Sequence, residues 1–212
     1  MITIVGIKHT EALEKQLESL IFKVKPDVIC VELDRFRYKL RRGEVSEEEL
    51  GLYKKNLPPI YKTVSLFKYR SQVESGVKRD WDVDVVLRIS EEIGAEVVPI
   101  DMDQDLVYKR IEENISFREK IELLLGLFRR MDFYGEQEEK SYEKEFSKKF
   151  PTLMRYLMDE RTEFMAGEVR NLSRKYEKVL VVVGNAHLEG MAKLLKDINV
   201  KLVDVDSLRE LR

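Results

Sequence analysis

The stretch Val179-Leu180-Val181-Val182-Val183-Gly184-Asn185-Ala186-His187 decides the fold. Its unbroken aliphatic run has the length of a strand. Such runs mark strands covered on both faces, as in parallel sheets. Gly184 lets the backbone turn sharply as it leaves the strand, and a helical pattern, Leu188–Lys196, follows. Working outward, Ile2–Val5, Asp27–Val31 and Glu96–Ile100 read the same way, and Val200–Val205 supplies a fifth strand. Helical patterns lie between them. Thr10–Lys23 carries Leu13, Leu17, Leu20 and Ile21 at helical spacing, with Thr10 as the expected N-cap and Pro26 as the stop. Val83–Ile93 is another helix, ended by Gly94. This alternation predicts an α/β fold with a mostly parallel central sheet and flanking helices.

The middle of the chain departs from that rhythm. From Gln104 to about Tyr176 no strand is expected. One helical stripe runs through Phe117, Ile121, Leu124, Leu125, Phe128 and Met131. Another runs through Leu153, Leu157, Met165, Leu172 and Tyr176. Residues 1–212 thus read as a single α/β domain with a large helical insertion at about 104–176. The insertion is a lid or a homodimer surface, or its stripes are simply core. Arg41–Arg79, which holds Pro58-Pro59, is a second lid candidate.

Composition narrows the function classes. With 212 residues, 43% of them hydrophobic, the chain has enough for one sizeable core. Lys+Arg 38 against Asp+Glu 40 leaves a net charge of −2, which argues against nucleic acid as a general partner. The single cysteine, Cys30, excludes a disulfide framework and a cysteine zinc site. It lies inside a strand and reads as a small core residue. No apolar run approaches the roughly 20 residues of a membrane helix. The opening Met1-Ile2-Thr3-Ile4-Val5-Gly6 lacks the basic segment of a secretion signal. The expected location is therefore cytoplasmic. A charged fraction of 37%, mostly Lys, Arg and Glu, resembles a heat-adapted proteome.

The chemistry gathers at strand ends. The two histidines, His9 and His187, each stand three residues after a glycine that follows a strand. Glu32 ends the second strand and Asp101 the third. In a parallel sheet all carboxyl ends lie on one edge, where open α/β folds bind ligands. His9, Glu32, Asp101 and His187 should therefore converge. Two imidazoles and a carboxylate can hold a divalent metal with open positions, and a spare carboxylate can act as general base. The alternative is that each histidine only makes a structural hydrogen bond at a strand end. Arg161 falls on the apolar face of Leu153, Leu157, Met165 and Leu172. It needs a buried partner, because an unpaired buried charge is costly. Glu32, Asp101 or an anionic substrate can supply one, unless the side chain snorkels to water. Arg35 and Arg37 face either the cleft or solvent. No phosphate-binding loop of the GxxxxGK[ST] or GxGxxG kind and no GxSxG elbow is present.

In order along the chain, five segments resemble the TraB family, whose prokaryotic form is associated with pheromone shutdown. They are Val5–His9, Lys25–Arg35, Gly94–Asp101, Asp159–Ala166 and Val181–Gly190. That family is similar to the Tiki proteases and, more distantly, to erythromycin esterases and ChaN haem-binding proteins. The resemblance implies a metal-dependent peptidase whose ligands fall on His9, His187 and Glu32, with Arg161 at the family's helix arginine. Met102 stands where the family has an arginine, and Lys8 where it has a small residue.

The resulting expectation is a metal-dependent, peptidase-like hydrolase with Mn²⁺, Co²⁺ or Zn²⁺ on His9, His187 and Glu32. Asp101 would orient a ligand or serve as base. Arg161 would bind a substrate carboxylate or stabilise negative charge. The substrate would be a peptide or small molecule. The alternatives are a non-catalytic protein for a small molecule, peptide or haem, and a metal-independent esterase-like hydrolase on the same cleft.

Overall fold

All five aliphatic segments become strands of one parallel sheet: β1 (Ile2–Ile7), β2 (Val28–Val31), β3 (Glu96–Pro99), β4 (Val179–Gly184) and β5 (Val200–Val203). The structure is a computed structural model that describes residues 1–8, 11–73, 77–78, 80–128 and 146–211. The spatial order is β3-β2-β4-β1-β5. Every pairing is parallel, with Ile2 opposite both Val179 and Val200, and Val28 opposite both Val179 and Glu96. The α/β reading with a parallel sheet and flanking helices is therefore what the chain adopts.

Side-chain alternation divides the sheet into two cores. On one face Val5, Ile7, Ile29, Val31, Leu180 and Val182 pack against α1 (Glu14–Val24), α5 (Trp81–Ile93) and the short C-terminal helix Val205–Arg209. On the other face Ile2, Ile4, Val28, Val181 and Val183 meet the helices Glu160–Leu172 and Asn185–Leu194. Cys30 is fully buried on this second face, and burial pushes its thiol up, so it is an inert core residue. Each fully buried aliphatic chain contributes about 1.5–3 kcal/mol.

Local sequence explains the helix ends. The first helix begins at Glu14 with Leu13 at its N-cap, so it starts later than expected; Thr10, the expected cap, lies outside the described residues. It closes at Val24, with Lys25 left-handed at φ 48° and Pro26 beyond. The segment Asp34 to Val73 is helical as well. It holds α2 (Arg35–Arg41), α3 (Glu47–Asn56) and α4 (Pro59–Val73). The Asp34 carboxylate caps α2, a Ser46–Glu49 capping box opens α3, and Pro59 starts α4, where a missing N–H costs nothing. Helix α5 starts at Trp81, a little before the expected Val83, and ends at Gly94 at φ 70° as expected.

A third cluster caps the carboxyl edge of the sheet. It joins Ile60 and Val64 of α4, Val107, Tyr108 and Ile111 of α6 (Gln104–Asn114), Leu123 of α7 (Phe117–Phe128), and Leu153 of α8 (Pro151–Met154). Helix α8 runs through a π-helical turn, Arg155–Asp159, into α9 (Glu160–Leu172). The two predicted stripes fare differently. Leu153 and Leu157 belong to this cap, while Met165 crosses to the sheet core. On α7, Phe117 (79%), Ile121 (42%), Leu124 (54%) and Leu125 (47%) are exposed, so that stripe is not core. Met131 and the Phe128 side chain lie outside the described residues.

Candidate active site

The sheet order puts the ends of β3, β2, β4 and β1 side by side. Those are the strands followed by Asp101, Glu32, His187 and His9. The two strands that carry the Gly-x-x-His motifs are direct neighbours, with Gly6 opposite Val183 and Ile7 opposite Gly184. A Cβ on Gly6 would sit 2.7 Å from Asn185 Oδ1 and 3.1 Å from Asn185 Cα. The first motif is thus glycine because the second motif packs onto it. From Gly184 the chain turns directly into α10 (Asn185–Leu194), which holds His187. His9 itself lies outside the described residues.

Arg161 finds the partners its position demanded. From α9 its Nη2 donates to Glu32 Oε1 at 2.5 Å and to Asp101 Oδ2 at 2.9 Å. Its Nε donates to Asp101 Oδ1 at 2.9 Å, and its Nη1 to the Leu157 carbonyl at 2.8 Å. Every nitrogen of the guanidinium is engaged. Asp101 also accepts the Met102 N–H at 2.8 Å and Arg37 Nη2 at 2.9 Å. Arg37 in turn holds Asp34, with Nε to Oδ2 at 2.6 Å. The alternative that Arg37 faces the cleft is the one the structure adopts, and Arg35 is exposed.

Glu32 carries the other half of the site. Its Oε2 accepts the Gly184 N–H at 2.7 Å, at the N-terminus of α10. Its Oε1 lies 3.4 Å from His187 Nε2. Burial pushes the Glu32 carboxyl up, but the Arg161 charge, the His187 ring and the Gly184 N–H outweigh burial and hold it well below the usual carboxylate range. Burial likewise opposes the charge on Arg161, yet Asp101 and Glu32 raise its pKa overall, so it stays protonated.

The proton on His187 follows from its neighbours. Thr162 Oγ1 lies 2.6 Å from the Met158 carbonyl and 2.7 Å from His187 Nδ1. A carbonyl only accepts, so the single hydroxyl proton goes to Met158 and Nδ1–H donates to Thr162. Unless the ring takes a second proton, Nε2 then presents a lone pair toward the Glu32 carboxylate. Two acceptors at 3.4 Å call for a positive partner, either that proton or a cation. The formal charges agree. Among the described residues in these ion pairs, Glu32, Asp34 and Asp101 stand against Arg37 and Arg161, three carboxylates to two guanidiniums.

Thr162 and the π turn are absent from the sequence reading. In the π turn the Leu157 and Met158 carbonyls serve Arg161 and Thr162. A lone threonine in a charged helix has no periodicity to flag it. The nearest sign is Gly190, where a Cβ would come within 2.9 Å of Thr162 Cγ2. That glycine lets α10 approach α9 at the residue holding His187. Among the described residues, no group of three or more His, Cys, Asp and Glu side chains is placed to hold a metal ion. His9, the third member of the expected set, is not among them.

Residues 99–202, a little under half of the chain, match the TraB/PrgY/gumN family. The match takes in Asp101, Arg161, Thr162 and His187 and leaves out His9 and Glu32. The chain is also 26% identical over 214 residues to an uncharacterized protein of Methanocaldococcus jannaschii, a match covering 93% of this chain and 54% of that protein. The chain thus spans about half the length of the curated relative it matches. Among the described residues no helix is long and apolar enough to cross a membrane.

Proposed function

We propose that this TraB/PrgY/gumN-type domain is a metal-dependent, peptidase-like hydrolase of the Tiki kind, acting in the cytoplasm on a peptide or small-molecule substrate. The observation that carries the reading is the imidazole of His187, locked by Thr162 so that Nε2 faces Glu32 Oε1 at 3.4 Å. A hydrogen-bonded Nδ1 with a free Nε2 beside a carboxylate is the arrangement of a metal-binding histidine. His9, His187 and Glu32 would hold Mn²⁺, Co²⁺ or Zn²⁺. The ion would supply Lewis-acid polarisation of a carbonyl and an activated water.

The chain's own residues then divide the work. Asp101 and Arg161 form a rigid brace that fixes Glu32. Arg161 spends four of its five N–H groups on Glu32, Asp101 and Leu157, and the four hydrogen bonds on Asp101 leave it poorly placed to serve as base. Thr162 sets the histidine tautomer. Gly184 N–H keeps Glu32 Oε2 turned away from substrate, leaving Oε1 as the working oxygen.

Metal content by elemental analysis tests this, together with thermal unfolding with and without Mn²⁺, Co²⁺ and Zn²⁺. Near-stoichiometric metal, with an upward shift that vanishes in His187→Ala, is the expected result. No metal and no shift would overturn it. Glu32 Oε1 already accepts from Arg161, and on that observation the second reading rests. Here the same cleft acts without metal, as an esterase-like hydrolase or as a binding site for a small molecule, peptide or haem. Activity that survives chelation would select the former.

A further inference from the structure

Beside the brace lies a cavity of about 520 Å³ that the hydrolase reading does not use. Helices α2, α3 and α4 wall it. Leu33, Phe36, Leu40, Leu50 and Leu57 make its surface apolar, and the Phe36 and Tyr53 rings stack at 3.9 Å and 13°. Its size and apolar lining suit a small organic ligand. Arg37 lines it while holding Asp101, so one side chain stands between the cavity and the strand-end cluster.

Two features give the occupant a charge. Lys54 and Lys62 stand exposed among the lining residues, and neither makes an ion pair among the described residues. Asp80, the one carboxylate in the lining, already pairs with Arg41 at 3.0 Å. Behind the lining, the Tyr53 hydroxyl is buried with no hydrogen-bond partner. A buried hydroxyl without a partner is costly, and an acceptor that displaces the groups covering it would satisfy it. Burial pushes the Tyr53 phenol up, so it stays a neutral donor. No glycine-rich loop offers the row of backbone N–H groups that phosphate sites use.

We propose that this cavity binds an apolar carboxylate, with its hydrocarbon body against Phe36, Leu50 and Leu57 and its carboxylate between Tyr53 and the Lys54 and Lys62 ammonium groups. It rests on the hydrolase reading only in naming the occupant as the anchoring end of the substrate. It also supplies anion recognition beside Arg161, whose N–H groups are mostly spent on Glu32 and Asp101. The chemistry is shared by a fatty acid and by a peptide ending in an apolar residue.

Isothermal titration of the purified chain with decanoate, N-acetyl-Leu-Phe, and the two corresponding amides tests the proposal. At least one acid should bind saturably and about tenfold more tightly than its neutral amide. The double variant Lys54→Glu/Lys62→Glu should erase that preference, and Tyr53→Phe should weaken the acid. Decanoate binding best would identify the fatty-acid source, and the peptide binding best the peptide source. Acids that bind no better than amides, or an unchanged preference in the double variant, would overturn the proposal. Carboxylate binding without metal uptake would end the hydrolase reading and leave the cavity's ligand standing. Metal uptake without carboxylate binding would do the reverse.

Discussion

Asp101 and Glu32 end neighbouring strands, and both lie on Arg161, yet they are satisfied differently. Asp101 accepts four hydrogen bonds, from Arg161 twice, Arg37 and the Met102 N–H. Its lone pairs are filled. Glu32 accepts from Arg161 and Gly184, and its Oε1 still faces His187 Nε2, where a proton or a cation must come between them. One carboxylate is a strut, and the other is held open by it. The contrast separates positioning from chemistry within a single buried cluster.

The largest test of that contrast removes the shared arginine. Arg161→Met leaves buried Glu32 without its guanidinium and strips two of the four hydrogen bonds from Asp101, and should cost about 3–5 kcal/mol in chemical denaturation. A loss under about 1 kcal/mol would mean that the brace is dispensable and the contrast empty. Next comes acid. The folded state holds Glu32 below its unfolded value, so its contribution is complete above an unfolded pKa of about 4.3 and fades as pH falls through the folded value. Denaturation followed from pH 7 downward should show a shallower acid limb in Glu32→Gln than in the parent. Equal limbs would place the acid sensitivity elsewhere.

Gly6→Ala probes the contact between the two histidine motifs. Its methyl would run into Asn185 at 2.7 and 3.1 Å, and α10 would have to move. A cost of about 1–3 kcal/mol is expected, read as a lower denaturation midpoint at unchanged slope. The smallest effect on stability is that of Thr162→Val, about 1–2 kcal/mol for the two hydrogen bonds of its hydroxyl. Its effect on metal affinity should be about 10–100-fold, with Thr162→Ser restoring it. A valine variant that binds metal like the parent would show that the tautomer is set without Thr162.

Much of this cluster is legible in the sequence. Arg161 on an apolar face had to find buried carboxylates, and it found the two named for it. Glu32, Asp101 and His187 follow strands, and a parallel sheet brings strand ends to one edge. Strand order was not legible, because aliphatic runs fix that a strand is buried and not which neighbour it takes. Nor were Thr162 and Arg37 assigned roles, since their bonds depend on a π turn and on the approach of α2 to β3. On α7 the helical period was legible and its burial was not. Phe117 at 79% exposure shows that an apolar face can exist with nothing among the described residues covering it.

The sheet order also governs how this chain comes to be folded. The strand β1 is buried at every position and pairs on both sides, with β4 from Val179 and with β5 from Val200. Neither partner is synthesised until about 170 residues later, a delay of roughly 10–35 s at ordinary translation rates. Throughout that interval Ile2, Ile4, Val5 and Ile7 have no ladder to join. The pairings of β1 therefore wait for contacts of high sequence separation, which slow folding. The first histidine motif takes its place in the sheet only when the second has been made.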